Sequence, residues 1–147
     1  VDKVKRQNPD MTIRCGLEAE YSSIALGTLV ELREQCDYMI LGQHFVRKGL
    51  HNISSRDNSD YPLIYARSVC EAMETGLFDI VAHPDCFMRE RENFSTDEGK
   101  ARFMENAGKA CYMICQKAKE MGIPIELNTN KHIKTCFAIK QSRSFTF

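Results

Sequence analysis

The stretch Phe78-Asp79-Ile80-Val81-Ala82-His83-Pro84-Asp85 decides the fold, because it is an apolar run that ends in a histidine and a proline. A short apolar run bounded by turn-forming residues is typical of a buried strand. Two earlier stretches have the same form, Cys15-Gly16-Leu17-Glu18 and Ile40-Leu41-Gly42-Gln43-His44. The carboxyl ends of parallel strands open onto one face of a β/α fold. The repetition therefore predicts that the polar side chains ending these runs converge at one rim.

A carboxylate and two imidazoles, from Glu18, His44 and His83, form a donor set suited to zinc, manganese or iron. Glu20 faces the same side of an extended chain as Glu18 and is an alternative carboxylate. Each residue also has a plainer interpretation, the carboxylates as solvated loop residues and the histidines as structural ones. His83 has the strongest support, because Pro84 is expected to hold its backbone extended after a rigid apolar strand.

Two further residues lie beside this candidate site in the sequence. The guanidinium of Arg89 is expected either to bind phosphate oxygens or to join a solvated charge cluster. The seven cysteines include no Cys-x-x-Cys pair, so neither a zinc ribbon nor a thioredoxin-like dithiol is expected, and their odd number argues against a disulfide framework. We expect these cysteines to be small, buried hydrophobic residues, as free cysteines commonly are. Cys86 is therefore given no catalytic role.

Length and composition indicate a single soluble globular domain. The 147 residues are 43% hydrophobic and 27% charged, which allows a real core. Twenty basic residues balance twenty acidic ones, and no basic run is interleaved with aromatics, so nucleic acid is not an expected partner. No apolar run approaches the roughly 20 residues that span a bilayer. We therefore expect a cytoplasmic protein with no membrane partner.

Apolar periodicity alternates between strands and helices along the chain. The predicted strands cover residues 11–17, 37–41, 78–82 and 123–128, and a polar loop covers 46–60. The first helix is predicted at about 23–35. The second is capped by Asp60, with Pro62 in its first turn and Gly76 just past its end. The third begins at a capping box formed by Ser95 and Glu98 and stops at Gly122.

The resulting β-α-β-α-β-α-β order predicts an α/β fold with parallel strands and right-handed crossovers. Four strands are too few to close a barrel, and unpaired sheet edges promote aggregation unless they are covered. We therefore expect residues 1–130 to be part of a larger, incomplete barrel. Residues 131–147 contain basic but no acidic side chains and are expected to form an irregular tail.

These motifs together resemble the polymerase and histidinol phosphatase (PHP) family, above all its histidinol-phosphatase branch. The resemblance covers about residues 12–129. The stretches that carry it are Gly16-Leu17-Glu18-Ala19-Glu20-Tyr21, Asp37-Tyr38-Met39-Ile40-Leu41-Gly42-Gln43-His44-Phe45, Phe78-Asp79-Ile80-Val81-Ala82-His83-Pro84-Asp85 and Ile125-Glu126-Leu127-Asn128-Thr129. Each stretch is a weak signal alone, and their order and spacing make the resemblance fairly specific.

The resemblance implies a distorted (β/α) PHP-type barrel that holds two or three divalent ions of zinc, manganese or iron. It implies that Glu18, His44 and His83 are metal ligands and that Arg89 faces the substrate phosphate. The implied reaction is hydrolysis of a small-molecule phosphate ester, most specifically histidinol phosphate in histidine biosynthesis. No catalytic side chain beyond the metal ligands is implied.

Two family motifs are absent from this sequence, the His-x-His of the first strand and the Asp-x-His of the last. The chain is therefore expected to be the central part of a PHP domain, incomplete at both ends and inactive in isolation. Two alternatives remain open. One is a non-catalytic PHP module with a structural or binding role, and the other is a PHP phosphoesterase acting on a different small ester.

Overall fold

The computed structural model describes residues 1–127, which form a mixed α/β fold. The helices are α1 (Asp2–Gln7), α2 (Leu26–Arg33), α3 (Tyr61–Glu74) and α4 (Asp97–Met121), with short 3-10 helices at Ser23–Ala25 and Cys86–Asn93. The strands are β1 (Gly16–Ala19), β2 (Tyr38–Leu41), β3 (Arg47–Lys48), β4 (His51–Asn52) and β5 (Ile80–Val81). The predicted tail at 131–147 and the domain boundary at 130 lie outside the described residues.

Three strands form a parallel sheet in the order β1-β2-β5. Glu18 is paired with Ile40, and Ile40 in turn with Ile80. An isolated parallel bridge joins Val81 to Ile125 on the far side of β5. The predicted parallel arrangement is confirmed, and the sheet within residues 1–127 is open rather than closed into a barrel. All carboxyl ends of its strands lie at the same edge.

Helices α3 and α4 pack on each other and form most of the core. The start of α3 is as predicted, with Pro62 in its first turn, and Gly76 follows its end with a φ of +70°. The carboxylate of Asp60 does not cap the helix, because it accepts a hydrogen bond from Asn106 of α4 instead. Fully buried side chains of these two helices include Tyr65, Val69, Met73, Phe103 and Ile114, and the ring of Phe87 from the 3-10 helix packs against Tyr65 and Phe103.

The predicted capping box at the start of α4 is wrong by one residue. The N-cap is Thr96, whose hydroxyl accepts a hydrogen bond from the Gly99 amide at 3.1 Å. Ser95 instead donates its hydroxyl and its amide to the Asp57 carboxylate. The helix ends as predicted at Gly122, which has a left-handed φ of +67°.

Other predicted boundaries also differ from the structure. The first strand begins at Gly16 and not at residue 11, because Gly16 is the first residue to pair with β2. The polar loop at 46–60 contains the two-stranded β3–β4 hairpin. The last predicted strand at 123–128 is reduced to the bridge at Ile125, and its residue 128 lies outside the described part. Helix α1 was not predicted.

Every helix within residues 1–127 is too short or too polar to span a lipid bilayer.

Candidate metal centre

The three predicted site residues lie at the carboxyl edge of the parallel sheet. Glu18 is in β1, His44 follows the end of β2 by three residues, and His83 follows the end of β5 by two. His83 Nε2 lies 3.3 Å from Glu18 Oε1. The rings of His44 and His83 are 4.7 Å apart between centroids and tilted by 46°. The structure therefore brings the three residues together, as the strand-end pattern predicts.

Gly42 provides the space in which the Glu18 side chain lies. A Cβ atom added at Gly42 would overlap the Glu18 carboxylate and the methylene next to it. A larger residue here would displace the Glu18 side chain from its present position over the backbone. The sequence stretch Gly42-Gln43-His44 thus positions a carboxylate as well as an imidazole.

Gln43 fixes the loop that carries His44. Its side chain is 1% exposed. The side-chain oxygen accepts a hydrogen bond from the backbone N–H of Tyr21 at 2.9 Å, and the side-chain nitrogen donates to the backbone carbonyl of Tyr21. The backbone carbonyl of Gln43 also accepts a hydrogen bond from the buried Tyr65 hydroxyl at 2.7 Å. A buried amide with all these partners ties the ends of β1 and β2 to helix α3. Sequence analysis missed this residue, since glutamine has no periodic signal.

Glu20 orients the His44 ring. Its Oε1 lies 3.1 Å from His44 Nδ1 and accepts a hydrogen bond from the His44 amide at 3.2 Å. With Nδ1 protonated and donating to this carboxylate, His44 presents the lone pair of Nε2. Metal-binding histidines commonly donate their second nitrogen to a carboxylate in this manner, which fixes the tautomer and the ring orientation.

The His83 backbone differs from the prediction. Its φ is +30°, in the left-handed region, rather than the extended conformation expected before Pro84. The His83 amide donates to Glu126 Oε2 at 2.8 Å, which helps to hold this conformation. Strained backbone persists where surrounding contacts determine it, and such strain is concentrated at functional sites.

Cys86 also reaches the site, although the sequence analysis gave it no role. Its amide donates to the His83 carbonyl at 2.9 Å, which closes a turn between the two residues. In a turn with this i to i+3 bond, side chains three residues apart lie on the same side. Donor atoms of His44, His83 and Cys86 all lie within 4.8 Å of one another. The spacing His83-x-x-Cys86 was the available signal.

The electrostatics of His83 reflect these neighbours. Contact with the Cys86 sulfur is the main cause that raises the His83 pKa to about 9, and Glu18 raises it further, while partial burial opposes both. Apart from this contact with Cys86, the buried Nδ1 atom of His83 has no hydrogen-bond partner among residues 1–127. A buried polar atom without a partner costs free energy and requires an explanation.

Arg89 lies on the 3-10 helix that follows His83. One of its terminal nitrogens donates to the His44 carbonyl at 2.8 Å, and its Nε lies 3.2 Å from the Glu90 carboxylate. The guanidinium also lies over the Phe45 ring, 5.3 Å from the centroid. The structure therefore places Arg89 next to the loop that carries His44, where it remains 43% exposed.

The donor set at this edge fits a divalent ion. The cluster combines two imidazole nitrogens and a thiol, which are ligand types of zinc and related transition metals, and the Glu18 and Glu20 carboxylates lie beside the rings. The buried Nδ1 of His83 makes no other hydrogen bond within residues 1–127, which fits the role of a ligand nitrogen. No protein-family model matches this chain, and a search of curated proteins finds no significant relative. The functional proposal therefore depends on this geometry and on the sequence motifs.

Proposed function

We propose that this chain belongs to a metal-dependent phosphomonoester hydrolase of the PHP type, with histidinol phosphate as the favoured substrate. The observation that supports it best is the meeting of Glu18, His44 and His83 at one edge of the sheet. These residues are separated by up to 65 positions in the sequence. Their convergence from successive parallel strands is the arrangement that the resemblance implies.

The fold supports the same proposal at a coarser level. A parallel sheet with intervening helices is compatible with a partial, distorted (β/α) barrel, and its carboxyl edge is where such folds place their active sites. The cytoplasmic location predicted from the sequence is retained as part of this proposal.

Two or three ions of zinc, manganese or iron are the proposed cofactors, with Glu18, His44 and His83 as ligands. When bound, such ions supply Lewis-acid activation of water and neutralise charge on phosphoryl oxygens. The chain itself fixes the donors: Glu20 holds the His44 ring, and Glu126 holds the His83 backbone. No protein nucleophile is needed for this chemistry.

Arg89 is the proposed phosphate-binding residue. One of its terminal nitrogens already donates to the His44 carbonyl, which fixes the guanidinium beside the proposed ligands. The remaining N–H groups are suited to the paired oxygens of a phosphate ester. An Arg89→Lys variant keeps the charge but loses the forked geometry, so we expect the KM for the ester to rise more than kcat falls.

The test measures metal content and phosphate release from histidinol phosphate, using the natural reading frame that carries this chain. We expect turnover with zinc or manganese, and we expect Glu18→Ala, His44→Ala and His83→Ala each to reduce bound metal and turnover together. The 147-residue chain alone should bind metal and release little phosphate.

Other outcomes of this test would favour the alternatives. Metal binding without turnover of any small phosphate ester would favour a non-catalytic module. Turnover of a different ester, with histidinol phosphate unreacted, would keep the reaction class and change the substrate. Absence of both metal and turnover in the wild-type protein would overturn the proposal.

A further inference from the structure

We propose that Cys86 is a metal ligand, and that His44, His83 and Cys86 form a thiolate-containing site that prefers zinc to manganese and magnesium. This inference rests on the metal centre that the proposed function requires, and it identifies zinc as the ion that this centre prefers. It does not require that the chain hydrolyse phosphate esters.

The three donors are held by two short loops. His44 follows β2, while His83 and Cys86 share the turn closed by the 2.9 Å bond from the Cys86 amide to the His83 carbonyl. Their donor atoms lie within 4.8 Å of one another. Ligands of a tetrahedral zinc ion are separated by roughly 3.6 Å, given bond lengths near 2.0–2.3 Å. Shifts of about 1 Å, within reach of side-chain rotation, would complete the site.

The hydrogen bonds to Glu20 and Glu18 occupy one ring nitrogen of each histidine and leave the other nitrogen available to bind the ion. His44 Nδ1 faces Glu20, so Nε2 is its donor atom. His83 Nε2 faces Glu18, so Nδ1 is its donor atom, and this is the nitrogen that is buried with no hydrogen-bond partner besides Cys86 in the described part of the chain. Each imidazole is thus oriented by one carboxylate, and an ion would satisfy the buried nitrogen. In this arrangement Glu18 is not a ligand of the zinc ion, and its proposed role as a ligand concerns another of the ions.

The thiolate determines the preferred metal. Sulfur ligands favour zinc and other soft or borderline ions, whereas manganese and magnesium prefer carboxylate, carbonyl and water oxygens. Three protein ligands from the two histidines and Cys86 also leave a fourth position for water or substrate, as in catalytic rather than structural zinc sites. The combination fits a hydrolytic centre better than a closed structural one.

Cobalt(II) provides a direct readout, because thiolate ligation to cobalt gives an intense near-ultraviolet charge-transfer absorption that imidazole and carboxylate ligands do not give. The 147-residue chain is titrated with cobalt and then with zinc under anaerobic conditions. We expect the absorption in the wild-type chain, its displacement by zinc, and its loss in Cys86→Ser. The matched control is Cys15→Ser, because Cys15 is also partly exposed but precedes β1 at the opposite end of the sheet.

Competition titrations measure the change in affinity. Loss of a residue that only hydrogen-bonds to a metal ligand typically lowers metal affinity roughly 10–100-fold. Because Cys86 is proposed to bind the ion directly, we expect Cys86→Ser to lower zinc affinity by more than this. Manganese affinity should change less, so the preference for zinc should fall. In the wild-type chain, bound zinc should also slow alkylation of Cys86, mapped by mass spectrometry, and leave alkylation of Cys15 unchanged.

The inference and the proposed function fail separately. A wild-type chain that binds cobalt without thiolate absorption, or whose Cys86 is alkylated equally fast with zinc present, overturns the inference even if phosphatase activity is found. Thiolate absorption together with zinc protection of Cys86 from alkylation upholds the inference, and if the protein made from the natural reading frame then hydrolyses no phosphate ester, the proposed function alone is contradicted. Because the wild-type readouts decide the matter, misfolding of Cys86→Ser would not affect the conclusion.

Discussion

The layer formed by α3 and α4 differs from the carboxyl edge of the sheet in how its residues are held. The layer is held by apolar contacts among fully buried side chains such as Tyr65 and Phe103, and Phe87 of the 3-10 helix Cys86–Asn93 contacts both. The edge is held by hydrogen bonds among half-exposed polar side chains, and it contains the strained His83. The two regions are joined by the bond from the Tyr65 hydroxyl to Gln43, so substitutions away from that bond should affect either stability or metal binding but not both.

The largest expected effect is on stability, from Phe103→Ala. Phe103 is fully buried and its ring contacts those of Phe87 and Phe94. Loss of a buried phenylalanine should lower the free energy of unfolding by about 3–5 kcal/mol, measured by urea denaturation. The control on the same helix is Tyr112→Ala, which is 68% exposed and should change stability by less than about 0.5 kcal/mol. Equal effects of the two variants would contradict the packing described here.

The next largest effect is on zinc affinity at the carboxyl edge of the sheet, in the variant Glu20→Gln. This change weakens the acceptor that holds His44 Nδ1 and should lower zinc affinity by roughly 10–100-fold without lowering the urea midpoint. Glu105→Gln is the matched control, because Glu105 pairs with Lys109 on the exposed face of α4. Zinc affinity unchanged by Glu20→Gln would show that the carboxylate does not position the ligand.

A smaller effect distinguishes the two candidate caps of α4. Thr96→Ala removes the hydroxyl that accepts from the Gly99 amide and should cost about 1 kcal/mol of unfolding free energy. Ser95→Ala should cost less, because the Ser95 amide keeps its bond to Asp57. Zinc affinity should be the same in both variants. The reverse order of stabilities would restore Ser95 as the cap.

The smallest effect is a pH dependence at Asp37, which lies at the opposite end of the sheet from the candidate site. Hydrogen bonds from the Cys15 amide and the Lys5 ammonium lower the Asp37 pKa in the folded state. A lowered folded pKa stabilises the protein above the unfolded value, about 3.9, and this contribution is lost as pH falls through the folded pKa.

Asp37→Asn should therefore lower the urea midpoint at pH 7, and its difference from the wild type should shrink below about pH 4. A difference that is constant with pH would mean that Asp37 acts through neutral hydrogen bonds alone.

The helical layer was the part most easily predicted from the sequence. Local signals place the ends of α3 and α4, such as Pro62, Gly76 and Gly122, because glycine and proline act through their own backbone. The exact cap was missed since Ser95 and Thr96 have the same chemistry. Their difference depends on Asp57, which is 38 residues away from Ser95.

The edge could be predicted in part. The positions of Glu18, His44 and His83 followed from the rule that parallel strands end at one edge. The contact of Gln43 was missed because it depends on a partner across the sheet, whereas the position of Cys86 could have been inferred from its spacing to His83. The His83 conformation depends on Glu126, which no local pattern around Pro84 reveals.

The bond between Glu126 and the His83 amide makes the edge sensitive to strand alignment. Glu126 is flanked by Ile125 and Leu127, and neither side chain can accept a hydrogen bond. A slip of one residue in this pairing would replace the carboxylate with an aliphatic group and free the histidine backbone to relax. The alignment of Ile125 with Val81 therefore determines whether a carboxylate is present to bond the His83 amide.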